Sequence, residues 1–199
     1  MKREVAFSKL KAAMGRYWVL SDATFDAIKD ICHTTTVKKN EHLLHFGDVP
    51  KSFYFICQGL VRTYTLGGED QDKEITENFF EEGKFPASVI ALLQQAPSAY
   101  GLQALEDSDL IVIDHAKYRS LLDQFEDLKS YHIQYIEMNW IQAKGPREIS
   151  LMSEDSLQRY RNFMAQNPHL VGRVKLHHIA SCLGITPTQL SRIRKEHNL

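Results

Sequence analysis

The chain has 199 residues, 43% hydrophobic and 25% charged, with ten glycines and six prolines. Those proportions exclude a disordered, collagen-like or low-complexity chain, and the length suffices for one large domain or two small ones without covalent staples. Lys plus Arg number 24 against 25 Asp plus Glu, a formal charge of −1; taken whole, that balance argues against a chain that coats nucleic acid by bulk positive charge.

The opening stretch, MKREVAFSKLKAAMGRYW, lacks the apolar core and cleavage site of a signal peptide. No apolar run approaches the roughly 18 residues of a membrane span. A cytoplasmic chain without membrane contact is the expectation. Residues 1–31 read as helices, with Leu10, Ala13, Met14, Tyr17 and Trp18 on one face. Ser21 is placed to cap a second helix carrying Phe25, Ile28 and Ile31. From about 36 to 113, short β-branched and aromatic runs alternate with Gly47-Asp48, Gly59, Gly67-Gly68 and Gly83. That alternation predicts a β sandwich, roll or barrel, interrupted by a short helix at SVIALLQQ. Glu69, Asp70, Asp72 and Glu74 read as a solvated hairpin loop.

From Asp114, which can cap AKYRSLLDQF, the pattern becomes helical. A longer helix follows. Leu128, Tyr131, Tyr135, Met138 and Ile141-Gln142 trace one side of it, and Ile133, Ile136 and Trp140 another. A helix apolar on two sides is covered on two sides; its own sheet and a second subunit would do so. Gly145-Pro146 breaks or kinks it. Helical segments follow in SEDSLQRYRNFMAQN, VKLHHIASCLG and PTQLSRIRKE, the first opened by Ser153, Ser156 and the acids Glu154 and Asp155. Charge divides at this boundary. Residues 146–199 hold eight Lys/Arg against four acids (+4), and residues 1–145 hold sixteen against twenty-one (−5).

The strongest local signal is VKLHHIASCLGITPTQLSRIRKE. Leu176, Ile179, Ala180 and Leu183 make an apolar face, Gly184 permits a tight turn, and Ile185 plugs it. Thr186 caps the next helix with Pro187 at its first position. Leu190 and Ile193 face inward, leaving Thr188, Gln189, Ser191, Arg192, Arg194 and Lys195 outward. The pattern predicts a helix-turn-helix, the bland alternative being a helical hairpin with a solvated basic face. Arg can bond guanine O6 and N7, Gln can bond adenine N6 and N7, and Thr186 with the helix-start amides can hold a phosphate.

This motif resembles the winged helix-turn-helix of Crp/Fnr-type transcription regulators. HLLHFGDVPKSFYFICQGLVRTY resembles their cyclic-nucleotide-binding β-roll, with Gly47-Asp48, Tyr54, Ile56, Gly59 and Val61 at the expected places, continued by Glu82 to Phe85 and ALEDSDLIVID. The resemblance implies an α+β fold of two domains: a jelly-roll-like β-roll over 1–115, a linker and long dimerisation helix over 116–146, and a winged helix-turn-helix over 147–199. With the sequence ending at Leu199, a wing is expected between Asn167 and Lys175, turning at His169 to Arg173. The implied function is regulation of transcription by a homodimer on double-stranded DNA with an inverted-repeat operator, with RNA polymerase as a partner. Arg192 matches the base-reading Arg, and Pro187 and Thr188 fall where relatives often place charged base contacts.

The resemblance also implies a small-molecule pocket. There, a Gly-Glu pair and an Arg-Ser/Thr pair hold a cyclic nucleotide; here Ala87-Ser88 and Ser98-Ala99 occupy those places. A buried anion without its cationic partner is costly, so tight cyclic AMP binding is not expected. An unidentified effector would meet Arg62, Tyr64, Ala87, Ser88, Ser98, Ala99 and Tyr100, or side chains would fill the pocket.

Cys32, Cys57 and Cys182 are odd in number and widely spaced, and read as reduced, buried thiols. No cofactor or metal is expected; His33, His42, His45 and Cys57 are candidates for haem ligands by residue type only. A cupin-like metalloenzyme is disfavoured, because His42 and His45 would point to opposite faces of a strand. No hydrolase, zinc-protease or phosphate-loop motif occurs, so the chain is read as a non-enzyme. A β-roll that binds a ligand or a protein, without DNA binding, is the remaining alternative.

Overall fold

The computed structural model describes residues 1–68, 73–141 and 154–198. Glu69, Asp70, Asp72, Gln142, Gly145-Pro146 and Ser153 lie outside the described residues, as do the side chains of Trp140 and Ile141.

Two helices open the chain, α1 (Arg3–Met14) and α2 (Asp22–Asp30). Ser21 caps α2, its hydroxyl accepting the Thr24 amide at 3.2 Å. α1 stops at Met14, so the apolar face predicted through Trp18 is shorter than expected. Tyr17 packs edge-on against Tyr131 and Tyr135, whereas Trp18 is 42% exposed.

Seven strands follow: β1 (Cys32–Val37), β2 (His42–Leu44), β3 (Ser52–Gln58), β4 (Val61–Gly67), β5 (Lys73–Phe80), β6 (Gly101–Ala104) and β7 (Ser108–Asp114), with the short helix α3 (Val89–Gln94) between β5 and β6. They form two antiparallel sheets, ordered β1-β7-β3 and β2-β6-β4-β5. The fold is mixed α and β with a β-roll at its centre. Leu44, Ile56, Val61, Leu102 and Leu110 from both sheets form the roll interior. Alternate residues of β3 and β7, Phe55, Cys57, Ile111 and Ile113, instead meet α1, α2 and the helices after β7. Both faces of β3 are therefore covered, which is why SFYFIC reads as an unbroken apolar run. Gly59 joins β3 to β4 at φ +108, and an added Cβ there would lie 2.1 Å from the Ser108 hydroxyl.

Asp114 caps α4 (His115–Leu122), accepting the Lys117 amide at 2.9 Å. α5 (Glu126–Ile136) continues as a π turn over Glu137–Ile141. Leu128 and Tyr131 are buried against α1, α2 and α4, and Ile133 on the other side is 55% exposed; Met138, expected beside Leu128 and Tyr131, lies in the π turn and is 49% exposed.

The C-terminal residues form α6 (Ser156–Gln166), a 3-10 turn (Pro168–Leu170), α7 (Leu176–Cys182) and α8 (Pro187–His197). Asp155, one of the residues expected at this helix start, caps α6 by accepting the Gln158 amide at 2.8 Å. The wing expected between Asn167 and Lys175 is a correction: no strand occurs over residues 154–198. Leu170 and Val174 are buried, and the Arg173 and Val174 amides both donate to the Leu170 carbonyl, so local turns use the backbone groups a hairpin would need.

Candidate functional site

The α7–α8 hairpin follows from its sequence step by step. Gly184 takes φ +67, and the Ile185 amide reaches back to the Ala180 carbonyl at 3.0 Å. Thr186 and Gln189 then form a reciprocal capping box: the Thr186 hydroxyl accepts the Gln189 amide at 3.1 Å, and Gln189 Oε1 accepts the Thr186 amide at 2.9 Å. Leu190 and Ile193 are buried, turning the opposite face outward. Thr186, Pro187, Thr188, Gln189, Ser191, Arg192 and Lys195 are exposed on it, and Arg194 is half-buried. The Arg192 side chain is 71% exposed, and its Nε lies 3.8 Å from Glu196 one turn on. One member of this set has another duty. Gln189 spends its acceptor oxygen on the cap, so the bidentate reading of adenine first expected of it is not available while the box is closed. Leu176, expected on the inner face of α7, is 37% exposed.

The seven residues expected to line an effector pocket divide into two groups. Ser88 stands at the start of α3 and Ser98 ten residues later, and their hydroxyls meet at 2.7 Å. Ser98 also donates to the Tyr100 carbonyl at 2.7 Å and accepts the Tyr100 amide at 3.0 Å. Both serines are buried. Ala87 and Ala99 flank them without a polar side chain, so the positions that carry charge in the resembled family are closed here by a hydroxyl pair.

Arg62 and Tyr64 are elsewhere. They share one face of β4, with the guanidinium 4.7 Å from the Tyr64 ring centroid. Arg62 is buried and bonds Gln103 Oε1 at 2.7 and 2.9 Å, the Thr76 hydroxyl at 3.1 Å and Glu74. Its own sheet takes four of its five N–H donors, which leaves no paired donors for an anion in the roll. Glu74, expected in the solvated loop, is thereby part of this network.

His42 and His45 also depart from expectation. β2 ends at Leu44, and a turn closed by the Asp48 amide on the His45 carbonyl brings the two rings into a stack at 4.4 Å. Strand alternation does not extend to His45. Among the described residues no group of three or more His, Cys, Asp or Glu is placed to hold a metal ion. Cys32 and Cys57 are buried, and burial pushes their thiols up to about 12 and about 11; Cys182 is half-buried, and none of the three is in a disulfide.

No local pattern in the sequence indicates how the C-terminal helices meet the roll. Leu60 and Leu105, from turns of the roll, are buried in one cluster with Tyr160, Leu170, Val174, Ile179, Leu183, Leu190 and Ile193. Arg173 binds Glu82 at 3.0 Å, Glu106 at 2.8 Å and the Gly59 carbonyl at 3.3 Å. Burial alone would raise the Glu82 carboxyl, but Arg173 and the Gly59 amide more than offset it and hold it low. α7 lies along β5, the edge of its sheet. The Thr76 amide donates to Ser181 Oγ at 2.9 Å and the Cys182 thiol to the Glu77 carbonyl at 3.3 Å. Side chains of α7 thus satisfy backbone groups that an edge strand would otherwise expose.

Residues 34–125 match the cyclic nucleotide-binding domain. The fold is similar to that of FixK2 from Bradyrhizobium japonicum, at 15% identity over 84% of this chain and 85% of that one, TM-score 0.68. It is similar to CLP of Xanthomonas campestris, described as a c-di-GMP-responsive global regulator, at 16% identity over 89% and 92%, TM-score 0.67. A third similar structure, from Eubacterium rectale, is assigned to the Crp/Fnr family of transcriptional regulators, at 19% identity over 90% and 84%, TM-score 0.67. At these identities the likeness is one of fold. No curated protein matches the sequence. The chain carries a cyclic nucleotide-binding domain, and Crp/Fnr-type regulators are among its structural neighbours. Among the described residues, no helix is long and apolar enough to cross a membrane.

Proposed function

We propose that the protein is a DNA-binding transcription regulator of the Crp/Fnr type, in which α7 and α8 form the helix-turn-helix and α8 is the recognition helix. The observation that carries this reading is the division of α8. Leu190 and Ile193 anchor it, and Thr188, Ser191, Arg192 and Lys195 stand together on its exposed face. A helix so fixed presents one cationic fork, Arg192, with short hydroxyls beside it, a set suited to a guanine edge and its neighbours in the major groove. Lys195 and Arg194, in the last turn, suit phosphate contacts.

The exposed Ile133 of α5 and Met138 of the π turn after it are read as meeting a second copy, so that the DNA site is an inverted repeat with half-sites about 34 Å apart. RNA polymerase is the partner such a regulator would engage. The roll is read as one that takes no cyclic AMP tightly, because Ser88 and Ser98 bond each other where charged anchors would be required; an effector of another kind remains compatible with Tyr100 and its surroundings. A regulator, rather than an enzyme, is the reading these features support.

Selection of bound DNA from a random pool by the full chain tests it. A palindromic consensus with half-sites one helical turn apart is expected, and a flat profile at low salt would overturn the proposal. In calorimetry, cyclic AMP is expected to give no micromolar binding heat.

A further inference from the structure

The joint between α7 and β5 holds a histidine close to a buried arginine. His178 is half-buried on α7, with Nδ1 3.5 Å from the Thr76 hydroxyl of β5. That hydroxyl also accepts Arg62 Nη1 at 3.1 Å, so a single oxygen separates the imidazole from the buried guanidinium. Next along β5, the Thr76 amide makes the hydrogen bond to Ser181 that ties the strand to α7. The charged and titratable groups around His178 are mostly cationic: Arg62 from β4, and His177 and Lys175 from its own segment. The His177 ring packs on it at 4.0 Å between centroids. β5 carries two acids: Glu74, which Arg62 engages, and Glu77, whose carbonyl accepts the Cys182 thiol of α7. A proton on His178 would face Arg62 across a single hydroxyl without an acid of its own.

We propose that His178 is an acid-sensitive catch, holding α7 on β5 as a neutral imidazole and loosening that joint when it is protonated. The proposal concerns the joint itself and stands whether or not α8 reads DNA. Its direction follows from the surroundings. Burial first, and then Arg62, His177 and Lys175, push the imidazole down to about 4, against about 6.5 for a solvated one. A group lowered on docking contributes fully above the higher value and loses that contribution as the pH falls toward the lower one. The working window is therefore from about 6.5 down to about 4. Because the ring is only half-buried, screening reduces the effect, and the opening equilibrium is expected to rise on the order of tenfold between pH 7.5 and pH 5.

Hydrogen exchange on the full chain, corrected for the intrinsic pH dependence of exchange, reads this at the Thr76 amide. Thr76 protection is expected to fall about tenfold from pH 7.5 to pH 5 in the native sequence, while Ile111, in β7 away from the joint, stays protected. In His178→Gln, which keeps a neutral polar side chain, the fall should be twofold or less. Thr76 protection independent of pH in the native chain would overturn the proposal. So would an equal fall in His178→Gln, or a parallel loss at Ile111, which would mean general acid unfolding.

Discussion

The serine pair at the start of α3 and the outer face of α8 treat their polar groups in opposite ways. At the start of α3, the Ser88 and Ser98 hydroxyls turn toward each other and Ser98 closes on the Tyr100 backbone. At the start of α8, Thr186 and Gln189 take up the free backbone groups, which leaves Thr188, Ser191, Arg192 and Lys195 facing water. Satisfied, buried hydroxyls stabilise a fold but recognise nothing. Exposed side chains on a rigidly capped helix add little stability and can be matched by a partner. The two sites should therefore fail differently when damaged: the serine pair through stability, the helix face through recognition.

The largest effect should come from the residue that holds α8 in place. Leu190→Ala empties a fully buried site in the cluster shared with Leu60 and Leu105, and should lower unfolding free energy by about 2–5 kcal/mol in denaturant titration. A smaller loss would mean that the hairpin is not anchored as described, and the contrast with the pocket would weaken. Ser98→Ala comes next. It removes a buried hydroxyl that serves Ser88 and both Tyr100 backbone groups, at a cost of about 1–3 kcal/mol. The selected DNA sequence should be unchanged; a changed consensus would place the pocket in the recognition pathway. Thr186→Ala should cost about 1 kcal/mol, by opening the capping box. It also releases the Gln189 side chain, so a new adenine preference beside the Arg192 position would show that the box had been suppressing base contact by Gln189.

Much of this arrangement is legible in the sequence because it is local. Ser21, Asp114 and Thr186 are capping residues placed before amphipathic runs, and each caps the helix expected of it. The order of strands and helices follows from alternation, glycines and helical spacing. The failures are nonlocal or sit at element ends. Arg62 looks like a pocket cation in a strand, yet Glu74, Thr76 and Gln103 come from two other strands and claim it. His45 falls one residue past the end of β2, where alternation ceases to predict direction. Gln189 occupies both the base-reading face and the third position of a helix, and the capping box takes it. The Asn167–Lys175 segment carries Pro168 and a Gly172 at φ +83, which suit a hairpin, but burial of Leu170 and Val174 folds it into turns. The Arg173 contacts with Glu82 and Glu106 join residues 91 and 67 positions apart, and the cluster that buries Leu60 and Leu105 likewise draws on distant parts of the chain. No spacing in the sequence records them.

Charge tells the same story at the scale of the chain. The total of −1 hides −5 over residues 1–145 and +4 over residues 146–199. Part of that difference is spent internally: Arg173 is drawn onto two acids of the roll, whereas Arg192 and Lys195 remain on the exposed face of α8.

Repeating the random-pool selection with Arg192→Ala tests the reading of α8 most directly. The variant should fold with unchanged stability, because its side chain is 71% exposed, and should retain the palindrome while losing preference at one symmetric base position, a discrimination of about 1–3 kcal/mol per half-site. An unaltered consensus, or a loss of affinity uniform over all sequences, would contradict a base-reading role for this helix.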